Sequence, residues 1–164
     1  MGDSRRFDLF AKVIRNNFPV DRYSIVADVA GGKGYLQTAL RSYGYEVITF
    51  DQRRKKQNKP GKFKYQYRWF NSTVNKEFDL LVGMHPDEAT DVIIIEAARR
   101  NVPFVICPCC VKPCAEIYWG KHSYLDWIVH LKKLARRHGF SITESILKMN
   151  GKNIVLIGRK SKII

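Results

Sequence analysis

Residues 23–40 read YSIVADVAGGKGYLQTAL. A β-rich run through Tyr23, Ile25 and Val26 reaches Asp28; Gly31, Gly32 and Gly34 then turn the chain, and Tyr35 to Arg41 predicts a helix. Strand, glycine loop and helix in that order let a backbone come close to a nucleotide-like ligand. Small residues remove the Cβ barrier, and the helix start offers unpaired N–H groups. Next outward, Glu46 to Asp51 (EVITFD) predicts a second strand ending in a carboxylate, 17 positions after Gly34. An acidic residue about 20 positions beyond such a loop can accept hydrogen bonds from ribose hydroxyls on both of its oxygens. A tight turn followed by a helix-capping aspartate would leave the same letters without any ligand.

The chain around this stretch has 164 residues and a hydrophobic share of 45%, so the expectation is one globular domain spanning 1–164. It carries 29 Lys and Arg against 15 Asp and Glu, a net charge of +14. On so small a domain that field favours a polyanion, with nucleic acid, RNA above all, as the expected partner and no membrane. No apolar run is long enough to span a bilayer, and no secretory leader is expected. Cys107, Cys109, Cys110 and Cys114 crowd into eight positions, unlike a secreted disulfide framework, so a reduced, cytoplasmic chain is expected.

Apolar residues at Phe7, Phe10, Ala11 and Ile14 predict a helix over about 3–18, capped by Asp3 or Ser4, that covers the sheet, packs beside the ligand cleft or carries phosphate contacts. Residues 52–62 form a basic loop containing Arg53, Arg54, Lys55 and Lys56. From Phe63 to Phe70 aromatics alternate with Lys64, Gln66 and Arg68, a half-exposed strand whose cations and rings suit RNA phosphates and unstacked bases. Phe78 to Gly83 and Val102 to Cys107 predict buried strands; Pro86 opens a helix to about Arg100, with Asp87 and Glu88 at its positive end. A long helix over 118–138 with Leu125, Ile128, Leu131 and Ala135 on its inner stripe stops at Gly139. Phe140 to Leu147 and Ile154 to Ile157 close the chain as a hairpin around an Asn150-Gly151 turn. The fold class expected is α/β and Rossmann-like: a mostly parallel sheet with a C-terminal antiparallel hairpin and helices on both faces.

The loop Asp28-x-Ala30-x-Gly32-x-Gly34 resembles the D-x-G-x-G-x-G loop of class I S-adenosylmethionine-dependent methyltransferases, with Ala30 at the first glycine. The reversed last strand is also the topology of that superfamily. The resemblance implies S-adenosylmethionine as cofactor, held by Asp28, Ala30, Gly31, Gly32 and Gly34, with Asp51 and Gln52 at the sugar, Trp69 and Phe70 near the adenine, and Met84 at the fourth strand tip. The stretches GMHPDEAT (83–90) and PFVICPCC (103–110) are similar to the eukaryotic tRNA uridine 2′-O-methyltransferases that act on serine tRNA, through His85, Asp87, Glu88 and Thr90 and through Pro108, Cys109 and Cys110. Tyr118, Tyr124, Gly139-Phe140, Gly151-Lys152-Asn153 and Gly158 extend the likeness more weakly. It implies methyl transfer to RNA, with tRNA and a ribose 2′-oxygen as the target.

A ribose hydroxyl is a weak nucleophile, so His85 is a candidate to accept its proton and Asp87 or Glu88 to orient it. Helix capping and dipole complementation explain the same residues without chemistry. Cys109 or Cys110 offers another route: a thiolate that adds to C6 of a pyrimidine and activates C5 for methylation. A non-catalytic RNA-binding module is a third reading. Adenine N6 is disfavoured, because no Asn/Asp-Pro-Pro-aromatic loop occurs. No metal is expected, because adjacent strand residues point to opposite faces. A homodimer or helper subunit is expected to complete substrate recognition for a domain of this size.

Overall fold

The structure is a computed structural model that describes residues 3–53, 64–115 and 118–161. Along the chain run α1 (Arg6–Asn17), β1 (Ile25–Val29), α2 (Tyr35–Arg41), β2 (Glu46–Phe50), β3 (Tyr65–Gln66), β4 (Leu80–Met84), a 3-10 turn (Asp87–Ala89), α3 (Thr90–Arg100), β5 (Phe104–Cys107), α4 (Tyr124–Arg137), β6 (Phe140–Ile146) and β7 (Ile154–Lys160). Among the described residues the strands form one sheet in the order β3-β2-β1-β4-β5-β7-β6. Neighbours from β3 to β5 are parallel, while β7 runs antiparallel between β5 and β6. The expected α/β fold class is therefore the one observed.

The sheet is buried on both faces, which is why its central strands read as nearly unbroken apolar runs. Alternate side chains go to opposite sides. Ala27 and Val29 join Ile93, Phe104, Trp127 and Leu131 under α3 and α4, whereas Val26 joins Phe10, Ile14, Leu36 and Leu40 under α1 and α2.

Several boundaries differ from the expectation, each for a local reason. The aromatic run over 63–70 pairs with the sheet only at Tyr65 and Gln66; Phe70 instead turns into the core against Phe50, ring centroids 4.9 Å apart. The long helix begins at Tyr124 because Ser123 caps it, its Oγ accepting from Asp126 N at 3.1 Å. With that start Leu125 is 65% exposed and Trp127 and Leu134 fill the core. The β6–β7 connection spans 147–153 rather than two residues: Leu147 N donates to Asn153 O at 2.9 Å, and Asn153 Nδ2 returns to Leu147 O at 3.1 Å. At the first helix Asp3 Oδ1 accepts from Arg5 N at 3.0 Å, ahead of the helix proper.

Arg100 holds the 71–76 crossing to the sheet. Its guanidinium donates to the carbonyls of Val74 and Lys76 at 2.8 Å and of Asn71 at 3.2 Å, and it lies 4.8 Å over the Phe70 ring. Arg100→Met is expected to cost about 2 kcal/mol in urea unfolding, since carbonyls lose their donor while Arg99 still pairs with Glu96.

Candidate active site

The carboxyl ends of β1, β2, β4 and β5 meet at one crevice. The glycine loop bends there through Ala30, Gly32 and Gly34, with φ of 57°, 59° and 79°. Positive φ at a non-glycine residue is costly and tends to persist where a site over-determines it. Gly31 must lack a side chain, because a Cβ there would overlap the Asp28 carboxylate and lie 2.5 Å from Thr49 Cγ2. Asp51 reaches back to the loop: Gly32 N donates to its Oδ2 at 2.9 Å, and Tyr65 Oη donates to Gly32 O at 2.6 Å. A cavity of about 120 Å³ opens here between Ala30, Asp51, Gln52, Trp69, Phe70 and Pro86. Phe70 gives it little surface, since that residue is 2% exposed. Gly34 is the N-cap of α2 and donates its N–H to Gly31 O at 3.0 Å.

Asp28 is fully buried behind Gly31. Thr49 Oγ1 donates to its Oδ2 at 2.9 Å, while Oδ1 has no partner. Burial pushes the Asp28 carboxyl up to about 7, the Thr49 hydrogen bond pulls against this, and the Asp51 charge adds to the rise. A buried carboxylate with a vacant oxygen behind a side-chain-free loop suits a cationic ligand such as a sulfonium amino acid. The residues present thus fit S-adenosylmethionine, whose ribose Asp51 would hold, with Trp69 and Phe70 available to its adenine and Gly31 to its positive end.

Ala30 and Arg53 line both this cavity and a wider cleft of about 410 Å³ beside it. Arg6, Phe7, Tyr35, Met84, His85 and Cys109 wall that cleft. His85 and Asp87 hold φ of 53° and 48°, so the β4 tip is bent as unusually as the β1 tip. His85 Nε2 lies 2.8 Å from Lys152 O, a carbonyl that can only accept; this fixes the proton on Nε2 and leaves Nδ1 with its lone pair. Burial lowers the His85 pKa, partly opposed by that hydrogen bond, with the Arg6 charge lowering it further. Asp87 Oδ1 accepts from the Cys109 thiol at 3.2 Å and lies 3.7 Å from Lys112 Nζ; Glu88 Oε1 lies 3.6 Å from the same amine. Burial, then the Asp87 carboxylate, push the Cys109 thiol well up, so this cysteine is held protonated and is a poor nucleophile.

The basic residues expected to meet nucleic acid divide. Arg53 turns onto Asp51, its backbone N–H at 2.8 Å and its guanidinium at 3.3 Å from Oδ1. Lys64 Nζ pairs with Glu46 at 2.6 Å, and Arg68 bonds Thr73 at the rim of the smaller cavity. Arg54, Lys55 and Lys56 lie outside the described residues. Arg6, Phe7, Lys33 and Tyr35 line the cleft without having been singled out as site residues. Only the placing of a helix beside the cleft hinted at the first two. Arg6 sits 4.7 Å over the Phe7 ring, its Nε buried without a partner, and Phe7 packs at 5.4 Å against Tyr35, which is 53% exposed.

No family model matches the chain. A Drosophila melanogaster protein described as "Probable tRNA (uracil-O(2)-)-methyltransferase" is 23% identical over 158 residues. That alignment covers 83% of this chain but 29% of the fly protein, so the chain spans less than a third of its relative's length. Among solved structures, a ribosomal protein L11 methylase from Lactobacillus delbrueckii subsp. bulgaricus superposes with a TM-score of 0.71 at 19% identity, over 98% of this chain and 81% of that one. The 1,6-didemethyltoxoflavin-N1-methyltransferase of Burkholderia thailandensis, solved with S-adenosylhomocysteine, gives 0.65 at 14% identity, over 98% and 80%. Strand order, reversed seventh strand, glycine loop and superpositions agree: the chain has the fold of the class I S-adenosylmethionine-dependent methyltransferases.

Proposed function

We propose that this chain is an S-adenosylmethionine-dependent RNA methyltransferase that acts on tRNA at a ribose 2′-oxygen. One observation carries the reading: the crevice that fits the cofactor shares Ala30 and Arg53 with a second cleft that His85 lines. When bound, the cofactor supplies an electrophilic methyl group. The chain's own task is then to place a hydroxyl in line with it and take the proton. Arg6, Lys33 and the exposed face of Tyr35 suit a phosphate and a stacked base. Lys152 O holds the His85 ring so that Nδ1 is the acceptor, and Asp87 stands beside it to orient the hydroxyl. The fly relative's description and the charge of +14 favour tRNA over protein or small molecules. The protonated Cys109 thiol argues against the C5-pyrimidine route through that residue.

The test is incubation with labelled methyl donor and separate pools of tRNA, other RNA, DNA and protein, followed by nucleoside mass spectrometry. The proposal expects label in a 2′-O-methylated nucleoside of tRNA. Label in protein, DNA or a C5-methylated base overturns it. His85→Ala is expected to lower transfer about 100-fold while S-adenosylmethionine affinity stays within about threefold, measured by single-turnover kinetics and calorimetry.

A further inference from the structure

The tips of β4 and β5 bring three ligand atoms of metal-binding type together. Cys109 Sγ, Cys110 Sγ and an Asp87 carboxylate oxygen all lie within 4.8 Å of one another. Cysteines adjacent on a strand would point apart. Here β5 ends at Cys107, and Pro108 takes the chain off the pleat before Cys109, so both thiols turn toward Asp87. Four-coordinate zinc, with Zn–S near 2.3 Å and Zn–O near 2.1 Å, needs ligand atoms roughly 3.5–3.8 Å apart.

We propose that Asp87, Cys109 and Cys110 form a binding site for a zinc-class divalent cation, with a fourth position open to the cleft. The ligand chemistry selects the ion: two thiolates favour zinc over magnesium or calcium, which take oxygen sets. Charge closes as well. Two thiolates and one carboxylate carry three negative charges; the dication leaves one, and Lys112 Nζ, 3.7 Å from Asp87 Oδ1, neutralises it. Both thiol protons leave to solvent as the two sulfur–metal bonds form. Asp87 and Cys109 line the cleft beside His85, so the open position faces the space assigned to the acceptor. Three protein ligands and one vacancy are how catalytic zinc presents a coordinated oxygen. That role for the vacancy rests on the methyltransferase reading; the binding of the ion does not.

The test uses the full chain, purified under reductant, loaded with zinc sulfate and freed of excess ion by gel filtration. Elemental mass spectrometry is expected to find about one zinc per chain. Loss of an outer-shell partner alone weakens metal sites ~10–100-fold, so Cys109→Ser, Cys110→Ser and Asp87→Asn should each weaken zinc at least ~100-fold. Cys114→Ser should leave it unchanged, because Cys114 is exposed and no member of the cluster. Cobalt substitution should give sulfur-to-metal charge transfer and the intense visible bands of a four-coordinate ion. Zinc well below stoichiometric, zinc indifferent to the two cysteine variants, a six-coordinate cobalt spectrum, or a Cys109–Cys110 disulfide in the reduced preparation each overturns the site. Circular dichroism checks that every variant is folded. Calorimetry with S-adenosylmethionine on metal-free protein is read separately: zinc failing while the cofactor binds defeats this site alone, and the reverse defeats the cofactor reading alone.

Discussion

Asp51→Ala should weaken S-adenosylmethionine binding by about 100- to 1,000-fold in calorimetry. Asp51 is 4% exposed, lines the cavity at the β2 tip, and meets the glycine loop through Oδ2. Two hydroxyls of a ribose donating to a carboxylate make charge-assisted hydrogen bonds of ~1.5–3 kcal/mol each. Losing both removes about 4 kcal/mol, and each 1.4 kcal/mol is a decade. The Arg53 guanidinium now reaches Oδ1, and its side chain is 53% exposed, so a sugar displaces a cation that already stands half in solvent. Asp51→Asn keeps one acceptor and should lose about tenfold. If Asp51 were only a loop brace through Gly32 N, the alanine variant would melt earlier yet bind the cofactor nearly as well once folded.

Asp28→Asn should change stability and binding in opposite directions. The Asp28 carboxyl is pushed up to about 7 in the folded protein, against an ordinary value of 3.8. The folded state therefore holds a proton that the unfolded chain releases between those values. Stability from this group is highest below about pH 4, falls as pH rises toward 7, and is flat above that. An amide carries no such penalty, although its NH2 takes over a position where Oδ1 found no partner. The net gain expected is about 2 kcal/mol at pH 8, vanishing near pH 4, read from urea unfolding at the two pH values. The same change removes the negative charge behind Gly31, and S-adenosylmethionine affinity at pH 8 should drop about tenfold. In the wild-type protein that affinity should rise from pH 5.5 to 8 as Asp28 ionises. S-adenosylhomocysteine lacks the sulfonium charge and should show a shallower rise. A variant that gained stability and kept full affinity would make Asp28 a structural residue only. Such a trade, in which a site residue lowers the stability of the empty protein, is common where function sets the chemistry.

The contrast between what could be read in the sequence and what could not follows the range of the interactions. The glycine loop and the Asp51 carboxylate were legible because each is a local arrangement: strand period, then turn, then helix, with a fixed offset to the next strand tip. The reversed β7 was legible from Gly139 and the alternation on both sides of Asn150-Gly151, although the connection proved wider than a two-residue turn. The burial of Trp127 and the exposure of Leu125 were not, because the Ser123 cap sets the start of α4 and hence which face turns inward. The joining of Asp87 to Cys109, 22 positions apart, depends on β4 and β5 being neighbours and on Pro108 leaving the pleat. Nor could charge alone say that Arg53 and Lys64 spend themselves on Asp51 and Glu46. Arg6, Phe7 and Tyr35 meet only because α1 and α2 pack together at the mouth of the cleft.

Crystals soaked with S-adenosylhomocysteine test the central claim most directly. The account predicts density across the tips of β1 and β2, with two ribose oxygens about 2.7 Å from the oxygens of Asp51, the purine edge against Trp69 and Phe70, and the sulfur facing the cleft that holds His85. Density elsewhere, or an unchanged Asp51–Arg53 pair under saturating ligand, would contradict it.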